Sequence, residues 1–274
     1  SGGSSYSAYQ TSCATLESIA LSGNYKTTFT VGDDFVFAGK VTATYDNAET
    51  KDVTNDVTLS SHTLTSTGTQ EVTVSYTEGG VTKTAKYTIT INAAKETGTF
   101  QQYTGTLVEG DYVIYYQKDS ESDGYAMKAA VSSDRLVAAV EGTDFAKESD
   151  IITNPDRSLV WHIAPSGSNW TIYNDKTGKY AAGTGADNKA QLLVRDDEGK
   201  ILWTTSGTYE FENVHNNEKG VNKNLRNNGT YGFACYATGT GGALSLYKYT
   251  EGVISAPTIT GEADFTTSTQ VTIT

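Results

Sequence analysis

Proline is scarce in this chain, at 3 of 274 residues, and methionine almost absent, at 1; there are only 3 His and 2 Cys. The two cysteines, Cys13 and Cys235, lie far apart. No CxxC pair and no Cys/His cluster accompanies them, so a structural zinc site is not expected. A disulfide between them is allowed by their number and asked for by nothing else. Cys235, inside "YGFACYA", reads as a small buried hydrophobe. His62, His162 and His215 fall in three separate segments without ligand spacing and read as structural or solvated. Gly-x-Ser-x-Gly and His-Glu-x-x-His are both missing, and no enzyme activity, cofactor or metal is expected.

Positive charge is also in short supply: 20 Lys and Arg face 32 Asp and Glu, a formal net charge of -12. Such a surface repels phosphate backbones and anionic lipid heads, so nucleic acid is not an expected partner. No stretch approaches the roughly 18 apolar residues of a membrane-spanning helix, so membrane insertion is not expected either. A positively charged start leading into an apolar run is lacking. Residues 1–13, "SGGSSYSAYQTSC", read as a linker or the tail of something upstream, and the chain stops inside "QVTIT", part-way through a strand pattern. The expectation is a piece of a longer exported protein, secreted or anchored at a cell surface, its export signal removed.

Gly at 27 and Tyr at 18 are abundant, and Thr is frequent. Tyr and Thr suit pleated, half-buried surfaces and Gly suits tight turns, which predicts an all-β fold. With 37% hydrophobic and 19% charged residues the chain has enough apolar material to fold, and its length allows two cores.

Residues 14–93 alternate with period two. Phe35 and Phe37 oppose Val36; then come Val41, Ala43 and Tyr45; Val72, Val74 and Tyr76; and Tyr87, Ile89 and Ile91. Turn clusters "DNAET", "STGTQ" and "EGGVT" divide them, predicting antiparallel hairpins in a β-sandwich. Val31-Gly32-Asp33, the "VTATYDN" strand from Val41 to Asn47 and "GTQEVTVSY" from Gly68 to Tyr76 together resemble a bacterial immunoglobulin-like module. The resemblance implies a spacer or adhesion module without catalysis.

Residues 98–250 carry an internal repeat. "DYVIYYQ", "NWTIYND" and "TYEFENV" each place an aromatic residue (Tyr112, Trp170, Tyr209) two positions before an apolar one (Ile114, Ile172, Phe211). Each is followed by a polar turn and a short apolar stretch, from Tyr125, from Tyr180 and around Leu225. A third strand follows ("RLVAAV", "AQLLVR", "GFACYA"), then a fourth holding Trp161, Trp203 or Leu246, at intervals of 42 and 43 residues. The first copy is lengthened by "EGTDFAKESDIITNPDRS". Three copies of four strands are too few for a propeller and predict twelve strands in a β-trefoil. "NWTIYNDKTGKYAA" is similar to the strand-turn-strand hairpin of ricin-type lectins and related actin-bundling-type trefoils, although their Gln-x-Trp signature does not occur. Residues 251–274 begin a further β module. Their "APTITGEADFTTSTQVTIT" is similar to the opening of the C-terminal Ig-like module of chitobiase-type hexosaminidases.

Asp196-Asp197-Glu198 reads as an exposed acidic turn, and Asp119, Glu121 and Asp123 as a turn with only a faint calcium-loop spacing. Sugar sites combine an aromatic face with Asn, Asp or Gln for the hydroxyls. Third-copy residues Asn224, Arg226, Asn227, Asn228, Tyr231 and Tyr236 offer that mixture, as do Asp187, Asn188 and Gln191 in the second copy. The competing reading is of ordinary hairpin tips, where Asn and Gly satisfy turn geometry. The resulting expectation is a monomeric, non-catalytic binding region, contacting glycan or a host surface protein. The alternative is a structural or adhesive spacer in a larger exported protein, accessory to a catalytic domain elsewhere.

Overall fold

In a computed structural model the chain is all-β, and the structure describes residues 14–94, 97–120, 122–206 and 209–251. Cys13, Glu121 and the segments read above as an N-terminal linker and a C-terminal module lie outside the described residues, apart from Glu251.

The first seven strands are β1 (Leu16–Ser22), β2 (Thr28–Thr30), β3 (Lys40–Tyr45), β4 (Thr50–Asp52), β5 (Thr58–Leu59), β6 (Gly68–Glu78) and β7 (Val81–Asn92). They form two sheets, β1-β3-β4 and β2-β7-β6-β5, with β2 parallel to β7. The period-two pattern has its expected cause. Val41, Ala43, Val72, Val74 and Ile89 are fully buried in one core shared by the two sheets, while their neighbours face outward. Phe35 to Phe37 departs from the expectation: these residues are not in a strand. Phe35 and Phe37 join the core, but Val36 is buried too, because its side of the chain meets the second half of the molecule.

That second half contains β8 (Thr99–Tyr103), β9 (Gly110–Gln117), β10 (Gly124–Ser132), β11 (Arg135–Val140), β12 (Lys147–Glu148), β13 (Ile151–Thr153), β14 (Val160–Ser166), β15 (Asn169–Asn174), β16 (Lys179–Ala182), β17 (Gln191–Leu193), β18 (Trp203–Ser206), β19 (Glu210–Asn213), β20 (Asn224–Asn227), β21 (Phe233–Tyr236) and β22 (Ser245–Thr250). One short helix, α1 (Val214–Glu218), follows β19. Antiparallel pairing runs β22-β9-β14-β15-β18-β19, linking six strands in succession. Hairpins β10-β11, β16-β17 and β20-β21 project from β9, β15 and β19.

Strand register fixes which residues are equivalent. Ile163 faces Ile172, Thr205 faces Phe211 and Leu246 faces Ile114. Leu246 therefore matches Ile163 and Thr205, and the counterpart of Trp161 and Trp203 is Leu244, two residues earlier. The expected pairing of Tyr125 with Tyr180 is also one residue out of step. Tyr115 faces Ala126, Tyr173 faces Tyr180 and Glu212 faces Asn224, so Met127, Ala181 and Leu225 correspond, all buried. Trp161 Nε1 donates to Met127 O at 2.8 Å, and Trp203 Nε1 to Ala181 O at 3.1 Å. Each buried indole thereby satisfies its one donor at an equivalent place. Asn174 and Asn213 also match: each gives its amide to two carbonyls of the preceding segment and accepts an N–H three residues on.

The first copy is covered by an added layer. β8, β12 and β13 extend the sheet, and Phe100, Phe145 and Ile152 close over Val113, Tyr115 and Tyr247 in a separate small core. Cys235 is buried in the main core, and that burial raises its thiol to about 12.

The two halves meet at the β15-β16 turn. Asp34 N donates to Lys176 O at 2.7 Å, and Arg195 Nη1 to Gly39 O at 2.9 Å. Lys26 and Arg157 each bridge Asp33 and Asp175.

Candidate functional site

A cleft of about 710 Å³ opens between the first and third copies. One wall is the β9-β10 turn with Tyr116, Gln117, Lys118, Asp123 and Tyr125; the other is Asn227 to Gly229 with the segment from Gly239 to Ala243. Tyr116 is next to last in β9 and Tyr125 second in β10, so strand pairing sets the two residues opposite each other in register. Gln117 Nε2 donates to Ser122 O at 2.9 Å and holds that turn. Across the cleft, Gly241 has φ +61°, and a Cβ there would lie 2.4 Å from Asn227 O. Only glycine lets the two backbones run this close. The described lining holds one carboxylate, Asp123, and one ammonium, Lys118.

The predicted site residues divide. Asn227 and Asn228 line the cleft. Asn227 is buried, however, and its side chain is spent on its own turn, accepting from Gly229 N and donating to Gly229 O. Asn228 is exposed. Tyr231 is 72% exposed and outside the cleft lining. Tyr236 is buried, its hydroxyl accepting from Arg135 Nε at 2.9 Å, and burial raises its phenol. Asn224 and Arg226 are buried as well, Arg226 pairing with Glu210 at 3.0 Å. In the second-copy group, Asp187 and Asn188 tie to the third copy and Gln191 to its own hairpin. Asp187 accepts from Asn222 N at 2.7 Å, Asn188 N donates to Cys235 O, and Gln191 Nε2 donates to Gly183 O at 2.6 Å. Tyr116, Tyr125 and the glycine strip are not expected as site residues from the sequence, where Tyr125 reads only as the start of a strand; the run Gly239 to Gly242 was the available signal.

A second hollow, about 630 Å³, lies on the first half beside Tyr45, Lys51 and Glu78. Tyr45 donates to Glu78, and Lys51 Nζ reaches Glu78 at 3.0 Å and the Tyr76 hydroxyl at 3.3 Å. The Tyr45 hydrogen bond lowers Glu78, and the same bond raises Tyr45. These contacts tie strand ends together. His215 is buried against Glu198 O, and His162 pairs with Asp111 at 2.8 Å on facing strands. Among the described residues no group of three or more His, Cys, Asp or Glu is placed to hold a metal ion, and no helix is long and apolar enough to cross a membrane. No protein-family model matches the chain, and no curated protein matches it at a significant level.

Proposed function

We propose that the chain is an Ig-like β-sandwich joined to a β-trefoil, and that it is a non-catalytic carbohydrate-binding region of a secreted or surface-anchored protein. The pairing of strands in succession from β22 to β19 and the three projecting hairpins support the trefoil reading. The observation that carries the function is the cleft between copies one and three. Tyr125, partly exposed, supplies the aromatic face, with the largely buried Tyr116 behind it, while Asn228 and Asp123 supply polar groups for hydroxyls. Its described charged groups are one of each sign, which suits a neutral glycan. Calorimetry of the purified chain against a broad oligosaccharide panel tests the reading. A binding event that disappears in Tyr125→Ala and weakens in Asn228→Ala supports it, whatever binding remains elsewhere; a panel with no event sensitive to Tyr125→Ala removes it.

A spacer role is the second reading, favoured by the ion-paired junction that couples the two halves. Under it, both variants behave as wild type in every binding assay.

A further inference from the structure

The three equivalent aromatic residues at the repeat openings are not equally covered. Tyr103 packs against the rings of Tyr112 and Tyr209, at 6.0 and 6.2 Å. The segment after it takes both hydroxyls: Tyr112 donates to Val108 O at 2.7 Å, and Tyr209 to Gly105 O at 2.7 Å and Tyr103 O at 2.9 Å. Two positions of the three are thereby closed. Beside the third, Trp170, a pocket of about 350 Å³ remains, lined by Thr104, Thr106, Leu107, Thr205 and Tyr209.

Its chemistry is specific. Trp161 and Trp203 are fully buried with their N–H groups bonded, whereas Trp170 is partly exposed and its N–H meets no acceptor among the described residues. The hydroxyls of Thr104, Thr106 and Thr205 likewise have no partner among the described residues. No carboxylate, ammonium or guanidinium lines the pocket among them. Tyr209, at its wall, holds φ +56°, a left-handed backbone that is costly for a bulky side chain and that tends to collect at binding sites.

We infer that this pocket is a second binding site, for a single neutral pyranose ring stacked on Trp170. An indole face, with an indole N–H and three hydroxyls that no described residue engages, matches a sugar's apolar face and its alternating donors and acceptors. The volume lies at the low end for small-ligand pockets, about 300–1,000 Å³, and admits one ring rather than a chain. The inference does not depend on the cleft between copies one and three.

Because the other two tryptophans are buried, Trp170 reports on this pocket alone. The experiment is acrylamide quenching of the intact chain with the methyl glycosides of glucose, galactose, mannose and N-acetylglucosamine. At least one glycoside is expected to protect the quenchable fluorescence, and Trp170→Phe to remove the quenchable component. Thr205→Val, nearly isosteric, weakens the protecting sugar roughly tenfold, as befits a lost hydrogen bond. Tyr125→Ala, in the other cleft, leaves protection unchanged. The inference is overturned if no glycoside protects, if free indole protects where the sugars do not, or if Tyr125→Ala abolishes protection.

Discussion

Asp33 and Arg157 meet at 2.6 Å across the junction, the carboxylate side chain wholly buried and the guanidinium mostly so. The contact is an ion pair rather than an aligned hydrogen bond; the carboxylate's other oxygen accepts from Thr30 N at 2.8 Å and lies 3.4 Å from Lys26. Removing Arg157 leaves the buried carboxylate with only the more distant Lys26 and the Thr30 N–H, which costs more than the pair contributes while intact. Arg157→Ala is expected to destabilise the chain by about 2 kcal/mol in chemical denaturation. Replacing both partners by leucine should cost less than the sum of the single changes, as a double-mutant cycle would read.

Gly178 serves the turn and the junction together. Its φ is +65°, and a Cβ there would come within 2.4 Å of Val36 Cγ2. Gly178→Ala is expected to cost about 1–2 kcal/mol through backbone strain and displacement of Val36. A midpoint shift in urea at unchanged slope would confirm it.

The tryptophans separate by role. Trp203→Phe leaves Ala181 O without its donor and opens a gap in the main core, for about 2–3 kcal/mol. Trp170→Phe, at a partly exposed position, should cost under about 1 kcal/mol. Equal losses in thermal unfolding would contradict the burial difference.

His162 gives the fold a pH dependence. The hydrogen bond to Asp111, helped by Glu109, raises its pKa above the ordinary 6.5, against partial burial, which lowers it. A group whose folded pKa is raised stabilises the protein while protonated. Its contribution is therefore complete below about pH 6.5 and fades as pH rises through the higher folded value. Because the ring is well solvated, the effect is small. Melting temperature followed between about pH 5 and pH 8 should fall more steeply for the native chain than for His162→Gln.

Local pattern made much of the strand structure legible. Val41, Ala43 and Tyr45 alternate because one face of β3 meets the core, and Tyr112, Trp170 and Tyr209 stand two residues before a buried side chain for the same reason. Reading failed where two surfaces compete for one segment. Val36 looked like the outer member of a strand, yet it is buried against a turn more than a hundred residues away. Side-chain likeness also misled. Its fourth-strand segment sets Leu246 at the place of Trp161 and Trp203, but hydrogen-bond register assigns that place to Leu244. The cleft was only half visible. Asn228 announced itself as a polar turn residue, whereas Tyr116 and Gly241 come together only through long-range packing, which no short window contains.

Thr99 and Thr250 are partners in the β8-β22 ladder. The polypeptide thus arrives at this half of the molecule and departs from it at neighbouring points. Everything between hangs from the main line as a pendant, adding bulk but almost no reach. Such a body can be cut at a hairpin tip and rejoined through Thr99 and Thr250 with a short bridge, since the two threonines already stand side by side.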